Sequence, residues 1–459
     1  MTRENIEEIK SQQKAYFARG KTLTYESRME ALGKLYSAIE KYSDELRSAL
    51  KTDLGKSEEE SDMCEIRLTL SEITYIRKHL RKWMKEKTVH TPLSQFASRS
   101  FTRPLPYGNT LIMSPWNYPV LLTLEPLADA VSAGNTAIIK PSAYSPSTSH
   151  VLKKLIEETF SPGLVTVIEG GRDENASLLD LDFDYIFFTG SKSVGKLVMA
   201  KAAEHLTPVT LELGGKSPCI ITKNADLPLS ARRTAFGKLI NCGQTCVAPD
   251  YILVERSVQH QFESLLRGEI LKMVGPTPLD NPEYGKIINI KHFSRIIKLL
   301  DEKKTVLGGK YDSSTLKIEP TILTAVTMDD AVMQEEIFGP IFPIIPYDSI
   351  DECIDYINSN DHPLALYIFT SDRNEAKNVM THTLFGGGCI NDTLIHLATS
   401  EMPFGGVRQS GMGGYHGRSG FDSFSHYTSI VDKKTWIDLP MRYRPYTERN
   451  RRLINFFLK

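Results

Sequence analysis

The chain has 459 residues, of which 41% are hydrophobic and 24% charged, as is typical of a folded globular protein of two or three domains. Its formal net charge of -1, without a long block of like charge, excludes an electrostatic footprint for nucleic acid or an anionic membrane. No apolar run reaches the length of a membrane span, so we expect no stable membrane anchor and small molecules as partners.

The first hundred residues predict a chain that is not exported and that begins with covering helices. The N-terminal sequence MTRENIEEIKSQQKAYF lacks the apolar centre of a signal peptide, and the six cysteines match no secreted disulfide framework. We therefore expect a cytoplasmic protein with reduced thiols. Helical periodicity covers residues 26–51 and about 64–83, and the Pro- and Ser-rich residues 89–108 are expected to form a connecting or edge segment.

Four short apolar runs then indicate a parallel β-sheet. They alternate with segments of helical length, which is the pattern of a doubly wound α/β fold, and they cover residues 110–113, 136–139, 164–168 and 185–188. Such sheets bind ligands at the carboxyl ends of their strands, where the next helix can hold a phosphate with its free N–H groups. Residues 187–197 form one such junction.

This junction also has the spacing of a phosphate-binding P-loop, which makes nucleoside triphosphate hydrolysis an alternative function. Gly190, Gly195 and Lys196 match the spacing, but Leu197 occupies the position that needs a hydroxyl for Mg²⁺. Leu197 therefore weakens the P-loop interpretation. Together with the family resemblance described below, it favours a dinucleotide-binding turn, with Lys196 solvated and Leu197 facing the core.

The rest of the chain predicts a second α/β region and a terminal interface. A glycine turn within residues 210–221 leads into this region, which is expected to run to about residue 404. The strand-like sequence FDSFSHYTSIVDKKTWIDLP suggests an oligomer interface. The ending LINFFLK is expected to pack on the body of the protein rather than on lipid.

Three residues are candidates for chemistry, and each has a structural alternative. Cys246, in a short loop, could be a nucleophilic thiolate or an incidental thiol. Asn117, between the prolines of PWNYP, could stabilise an oxyanion or form a turn. Glu212, flanked by leucines, could be a desolvated general base or a solvent-facing carboxylate. No metal site is expected, because the cysteine spacing is poor for zinc.

Together the motifs resemble those of NAD(P)-dependent aldehyde dehydrogenases over nearly the whole chain. PWNYP, LELGGKSP, GQTCVAPDY, EEIFGP and PFGGVRQSGMGGYHG occur in the order of that family and at roughly its separations. The short N-terminus and the ending SGMGGYHGRSGFDSFSH look most like the class 3 branch, the fatty and aromatic aldehyde dehydrogenases.

The resemblance implies an α/β fold with a Rossmann-like cofactor domain, an α/β catalytic domain and a small oligomerisation segment of a homodimer. The implied divisions are an NAD(P)-binding domain (1–82 and 104–209), bridging segments (83–103 and 421–445), a catalytic domain (210–404) and an active-site loop region (405–420).

The resemblance also implies a mechanism. The Cys246 thiolate attacks an aldehyde carbonyl, and Asn117 with the Cys246 backbone N–H stabilises the oxyanion. Hydride passes to the nicotinamide, and water activated by Glu212 hydrolyses the thioester to a carboxylic acid. The class suggests medium- to long-chain aliphatic, aromatic or isoprenoid aldehydes, including carotenoid-type ones, as substrates.

The implied cofactor contacts are Lys140 at the adenosine ribose, Thr189 and Gly190 near the nicotinamide, Ser191 near the pyrophosphate, and Glu336 with Phe338 at the nicotinamide ribose. Ala143 stands where many NAD-preferring members have a glutamate that repels a 2'-phosphate. We therefore expect either NAD or NADP to serve as cofactor.

Three further residues are expected to be structural. Cys242 is interpreted as a packing residue, with disulfide protection of Cys246 under oxidants as the alternative. His396 and His416 are interpreted as hydrogen-bonding residues, because the implied mechanism already has its base.

Overall fold

A computed structural model describes residues 2–458, in which helices and strands alternate along most of the chain. The helices are α1 (Arg3–Ala18), α2 (Tyr25–Lys41), α3 (Ser43–Leu54), α4 (Glu58–Ser61), α5 (Arg67–Trp83), α6 (Leu121–Ala133), α7 (Pro146–Thr159), α8 (Arg172–Leu179), α9 (Lys192–Glu204), α10 (Leu227–Leu239), α11 (Gln259–Val274), α12 (Ile290–Ile297), α13 (Ala331–Gln334), α14 (Ile350–Ser359), α15 (Arg373–His382), α16 (Gly417–Ser423) and α17 (Glu448–Phe457). The strands are β1 (Lys87–Val89), β2 (Ser98–Pro106), β3 (Asn109–Met113), β4 (Thr136–Lys140), β5 (Val165–Val167), β6 (Tyr185–Thr189), β7 (Val209–Glu212), β8 (Pro218–Ile221), β9 (Tyr251–Glu255), β10 (Thr305–Leu307), β11 (Tyr311–Asp312), β12 (Lys317–Ile318), β13 (Thr321–Leu323), β14 (Ile341–Tyr347), β15 (Ala365–Phe369), β16 (Gly387–Ile390), β17 (Gly411–Met412) and β18 (Ser425–Lys433).

Six strands form the first large sheet, in the order β17-β7-β6-β3-β4-β5. Only β17 is antiparallel to its neighbour. Strands β3, β4 and β6 are buried at every residue, because helices cover both faces and the sequence shows continuous apolar runs instead of alternation. The four predicted runs become β3, β4, β5 and β6, which confirms the parallel α/β sheet.

A second large sheet has seven strands in the order β10-β13-β14-β9-β8-β15-β16, all parallel except at β10. It contains the strands of the second α/β region expected from the sequence. The chain passes from the first sheet to the second between Glu212, at the end of β7, and Pro218, at the start of β8. Glu212 therefore lies at the junction of the two sheets.

A small antiparallel sheet joins parts of the chain that are distant in sequence. β2 lies between β1 and β18 and pairs with β18 over nine residues, from Ser98 with Lys433 to Pro106 with Ser425. The segment 89–108 thus supplies a central strand and not an edge, because its partner comes from near the other end of the chain.

The helical pattern of residues 26–51 forms two helices, α2 and α3, separated at Tyr42. The Ser43 hydroxyl donates to the Ile39 carbonyl (2.8 Å), and the acids Asp44 and Glu45 follow in the first turn of α3. Acidic residues favour a helix start, which explains why a new helix begins here. The next predicted helix begins with a π-helical turn, Asp62–Ile66, that leads into α5.

Two predictions of packing are wrong. Leu197 is 53% exposed, because the core-facing side of α9 is formed by Gly195, Val198 and Ala202. Lys196 is exposed, as predicted. Helix α17 has no buried residue, and its Phe456 is 69% exposed.

Leu453, Ile454 and Phe457 are only partly buried, so the apolar residues of this terminal helix do not enter the core of the protein. Within residues 2–458, no helix is both long enough and apolar enough to cross a membrane.

Candidate active site

A cavity of about 300 Å³ lies at the carboxyl ends of β6 and β7, the edge at which parallel sheets bind ligands. Residues from both large sheets and from their loops line it. It brings together eight of the nine predicted site residues, namely Asn117, Thr189, Gly190, Ser191, Glu212, Cys246, Glu336 and Phe338.

The loop that carries Cys246 starts from two residues of left-handed backbone, Asn241 (φ 50°) and Cys242 (φ 52°). This conformation is unfavourable for residues other than glycine and persists only where the surroundings hold it. Here Asn241 donates its N–H to Glu60 (2.7 Å) and its side-chain amide to the Asn117 carbonyl (2.8 Å). These bonds fix the loop against the segment that contains Asn117.

Cys246 is half-buried in the wall of the cavity. Burial raises the pKa of its thiol to about 12, and the nearby Glu336 and Glu212 carboxyls act in the same direction. The backbone N–H groups of Cys246 and Val247 oppose this rise in pKa, because they stabilise a thiolate. The resting thiol is therefore protonated, and any thiolate formed here finds N–H donors in place.

Asn117 follows β3 in the loop that leads to α6 and is 4% exposed. Its side-chain Nδ2 donates to the Gln244 carbonyl (3.1 Å), two residues before Cys246. The next residue, Tyr118, is hydrogen-bonded through its hydroxyl to Thr245 (2.6 Å). An amide carries two N–H groups, so Asn117 can donate to a second acceptor.

Glu212 is buried at the end of β7, with 2% of its surface exposed. Among residues 2–458, neither of its carboxyl oxygens has a hydrogen-bond partner. Burial therefore raises its pKa well above the usual range. A carboxyl group without a partner is free to take a proton from a bound water once it is ionised.

Residues 189–191 form the turn from β6 into α9. Ser191 is the N-cap residue of α9, and its side chain makes no capping bond, so N–H groups at the helix N-terminus are available to an anion. The Thr189 hydroxyl is buried without a partner in the described part of the chain. A nicotinamide dinucleotide fits these free donors, and the exposed Leu197 still supplies no Mg²⁺-binding hydroxyl.

Glu336 and Phe338 lie on the loop between α13 and β14. Burial and the Asp250 carboxylate raise the pKa of Glu336 to about 8, against the effect of the Gly215 N–H that donates to it. Phe338 has a left-handed backbone (φ 49°), and its ring meets the Trp116 ring edge-on with centroids 5.3 Å apart. The loop thus presents a carboxylate and an aromatic ring to the same cavity.

Lys140 is the predicted residue that does not line the cavity. It is 3% exposed, and its Nζ donates to the carbonyls of Pro141 (2.8 Å) and Gly170 (2.7 Å). Burial lowers its pKa to about 8. Ala143 lies nearby and is exposed. In this arrangement Lys140 is engaged with the backbone, so a contact with the cofactor requires it to turn outwards.

A second cavity, of about 250 Å³, adjoins the first and shares Cys246, Leu122, Phe404 and Tyr415 with it. The remainder of its wall is mainly aliphatic and aromatic, with Met63, Leu68, Leu121, Phe236, Ile240 and Leu394 among its residues. An apolar chain bound there would reach the Cys246 sulfur.

Of the three remaining candidates, Cys242 and His396 line neither cavity, whereas His416 lies in the wall of the second. Burial lowers the pKa of His396 and of His416 to about 4, so both rings are neutral. His416 lies 3.5 Å from the Glu125 carboxyl. The Cys242 thiol is buried, hydrogen-bonded to Tyr284, and lines neither cavity. No group of His, Cys, Asp or Glu among residues 2–458 could hold a metal ion.

Sequence reasoning missed Lys56 and Glu65, which form a buried ion pair behind Asn117. They belong to the acid-rich run LGKSEEESDMCEI, which is typical of a solvated helix surface. Glu58 and Glu59 in this run are exposed, and nothing in the residue pattern separates Glu65 from them.

Comparison with known proteins agrees with this geometry. The model described as the aldehyde dehydrogenase family matches residues 1–430. The chain is 47% identical over 446 residues to 4,4'-diaponeurosporen-aldehyde dehydrogenase of Staphylococcus aureus (strain NCTC 8325 / PS 47), with 97% of both chains covered. It is also 43% identical over 453 residues to aldehyde dehydrogenase family 3 member B3 of Mus musculus, and the alignment covers 98% of this chain and 95% of that protein.

A solved structure described as the substrate bound state of Staphylococcus aureus AldH superposes with a TM-score of 0.97 at 46% identity, covering 99% of each chain. The chain belongs to the aldehyde dehydrogenase family. It is therefore an oxidoreductase that converts aldehydes to carboxylic acids with a nicotinamide dinucleotide. The relatives from family 3 confirm the resemblance to the class 3 branch.

Proposed function

We propose that the protein oxidises apolar aldehydes with Cys246 as nucleophile, Asn117 as oxyanion donor and Glu212 as general base. The observation that carries this proposal is the shared cavity, in which a thiol, an amide and a buried carboxyl without a hydrogen-bond partner lie together. Each group has the chemistry that one stage of aldehyde oxidation needs.

The proposed sequence starts when the Cys246 thiol releases its proton to water, and the resulting thiolate bonds to the aldehyde carbon while the carbonyl oxygen takes the electron pair of the C=O bond. The Asn117 amide and the Cys246 backbone N–H donate to that oxyanion. A bound nicotinamide supplies the hydride acceptor for this oxidation. Glu212 then takes a proton from water as the water oxygen attacks the thioester carbon, and the carbon–sulfur bond breaks to release the acid and Cys246.

The substrates are proposed to be medium- to long-chain aliphatic, aromatic or isoprenoid aldehydes. The apolar cavity that adjoins Cys246 supports this class, because its wall has few polar groups that could form hydrogen bonds with a hydrophilic substrate. The name of the Staphylococcus aureus relative, a diaponeurosporen-aldehyde dehydrogenase, also supports an extended apolar aldehyde of the carotenoid type.

Both NAD and NADP are proposed to serve as cofactor. Ala143 presents no acidic charge at the exposed position beside Lys140, so no carboxylate there repels a 2'-phosphate. Glu336 and Phe338 are proposed to bind the nicotinamide ribose, with Thr189, Gly190 and Ser191 at the β6–α9 turn. Lys140 is proposed to reach the adenosine ribose once its bonds to backbone carbonyls open.

The protein is further proposed to be a cytoplasmic homodimer whose bridging segments are residues 83–103 and 421–445. Strand β18 supports a role in assembly, because it lies at the edge of the small sheet and Val431 on it is 51% exposed. The cofactor domain, catalytic domain and loop region keep the bounds given above from the family resemblance.

A test of the catalytic proposal measures NADH and NADPH formation with aldehydes of increasing chain length, comparing the wild type with Cys246→Ala. We expect kcat/KM to rise with chain length and the variant to give no turnover above the enzyme-free reaction. Cys242→Ala is the matched control and should retain activity, since its thiol lies outside both cavities. Equal rates for wild type and Cys246→Ala would refute the assignment of the nucleophile.

A further inference from the structure

Behind the site lies an ion pair, Lys56 with Glu65, that is withdrawn from solvent. Their charged atoms are 2.6 Å apart, and their side chains are 1% and 0% exposed. Because two charges lose their hydration when they are buried, a buried ion pair need not stabilise the fold. Removal of one partner nevertheless lowers stability, since it leaves the other charge buried and unpaired. The contacts of Lys56 and Glu65 indicate what the ion pair does at this place.

Lys56 contacts the Asn117 segment directly. Its Nζ donates to the Asn117 carbonyl oxygen at 2.9 Å and lies 3.9 Å from the centre of the Tyr118 ring. The same carbonyl oxygen accepts the Asn241 amide at 2.8 Å. Lys56 thus holds the atom at which the Asn117 segment meets the loop of the nucleophile.

Glu65 holds the other end of the same segment. Its Oε2 accepts the N–H groups of Val120 (2.7 Å) and Leu121 (3.3 Å), where α6 begins. A carboxylate at a helix N-terminus is favoured by the helix dipole. The ion pair therefore holds the backbone from the Asn117 carbonyl to the start of α6, directly after the residue that carries the amide.

We propose that Lys56 and Glu65 are positioning residues that fix the Asn117 amide at the oxyanion position. The inference rests on the proposed role of Asn117. It explains why buried charges converge on one short loop, because donors stabilise an oxyanion only when they are held in place before it forms. A misplacement of about 1 Å can cost about 100-fold in rate.

The test is a double-mutant cycle between Lys56→Met and Asn117→Ala, with kcat and KM for an apolar aldehyde as readouts. We expect Lys56→Met to lower kcat about 10- to 100-fold with KM for the aldehyde changed less than about twofold. In the Asn117→Ala background the same change should cost less than about twofold more, because the amide that it positions is already absent.

Two further variants keep the result interpretable. Arg47→Met is the control. Arg47 pairs with Asp62 (3.0 Å), which lies in the same π-helical turn as Glu65, but Arg47 does not contact the Asn117 segment. This variant should therefore retain wild-type kcat. Lys56→Met/Glu65→Leu removes both charges of the pair and replaces the single variant if that does not fold. It should show the same loss of kcat, and that loss should likewise nearly disappear in the Asn117→Ala background.

Multiplicative losses in the cycle, or a wild-type kcat for a folded Lys56→Met or for the double variant, would overturn the positioning role. Wild-type kcat in Asn117→Ala alone would instead refute the oxyanion role of Asn117. The two failures are distinguishable because the second appears without any change at Lys56. A Glu65→Gln variant adds a check: its amide oxygen still accepts the N–H groups of the α6 start, so it should lose less activity than Glu65→Ala.

Discussion

Burial raises the pKa of the Cys246 thiol and of the Glu212 carboxyl, so it disfavours the thiolate and the carboxylate in the resting protein. Each proposed reactive form, thiolate and carboxylate, gains population as pH rises. The neighbouring N–H groups offset part of this effect at Cys246. Among residues 2–458, Glu212 has no such donor, so no hydrogen bond from these residues stabilises its carboxylate.

Glu212→Gln should separate the two halves of the proposed reaction. A general base typically contributes about 100- to 10,000-fold, so we expect steady-state turnover to fall by at least about 100-fold. The first oxidation does not require water, and a burst of about one reduced cofactor per active site should remain. Rapid-mixing absorbance at 340 nm, with intact-mass detection of the thioester, measures both. Loss of the burst together with turnover would contradict this division of roles.

The wild-type pH profile has a predictable sign. Because the pKa values of Cys246 and Glu212 are both raised, kcat/KM, which reports attack by Cys246, and kcat, which also includes hydrolysis by Glu212, should increase from about pH 6 to about pH 9. In Glu212→Gln the residual rate of thioester hydrolysis should lose the part of this increase that belongs to Glu212. Steady-state rates in buffers of constant ionic strength provide the measurement, and a profile that falls with pH would be inconsistent with these groups.

Ala143→Glu should change cofactor use without changing the reacting groups. The new carboxylate would lie beside the adenosine site and repel a 2'-phosphate, so KM for NADP should rise about tenfold or more while KM for NAD changes much less. Ala143→Gln is the control for size without charge. Equal increases in KM for NADP and for NAD would show that the residue at position 143 does not discriminate between the two cofactors by the 2'-phosphate.

At the scale of elements, the turn between β7 and β8 joins the proposed base to the proposed ribose ligand. Gly214 leaves room for Glu336, because a Cβ atom there would lie 2.2 Å from Oε2 of Glu336. Gly215 donates its N–H to the same carboxyl. The two glycines after Glu212 therefore set the position of Glu336.

Gly214→Ala should push the Glu336 carboxylate away from its place while the fold is kept, since a side chain can move more easily than backbone. We expect KM for NAD to rise roughly tenfold with a smaller change in KM for the aldehyde. Gly268→Ala is the matched control, because a Cβ there meets no atom within 4 Å, and it should bind NAD normally. Unchanged cofactor KM in Gly214→Ala would argue against Glu336 as a ribose ligand.

The elements that sequence alone predicted well are those with a local signal. The buried strands β3, β4 and β6 have continuous apolar runs, which predict buried parallel strands without a structure. The residues around Cys246 alone left a nucleophile and an incidental thiol open, and only the order of motifs shared with the family favoured the nucleophile. The outward orientation of Leu197 depends on tertiary packing, which decides the side of α9 that faces the core. The contact between Lys56 and the Asn117 carbonyl joins residues 61 positions apart, which no local pattern reveals.

At the scale of the whole molecule, β18 returns the chain to β2 and leaves its own outer edge without a partner among the described strands. An edge of nine residues with an exposed valine is a place where a second copy can pair. The homodimer is thus a proposal about this surface, and it can be tested without reference to activity.

Val431→Lys should weaken the dimer by about tenfold or more in dissociation constant, because the new ammonium group would be desolvated or face its copy across the interface. Val306→Lys on β10 is the matched control, since Val306 is similarly exposed at the edge of another sheet. Sedimentation equilibrium over a range of protein concentrations measures the effect. A Val431→Lys variant as tightly associated as the wild type would place the dimer interface elsewhere.

The raised pKa of the Cys246 thiol also bears on how long the enzyme survives. Alkylating agents and peroxide attack the thiolate, so a cysteine that rests as a thiol is damaged slowly. We expect the idle protein to withstand reactive electrophiles and to become vulnerable chiefly while it turns over. Shielding by burial would then give Cys246 a durability that needs no disulfide with Cys242.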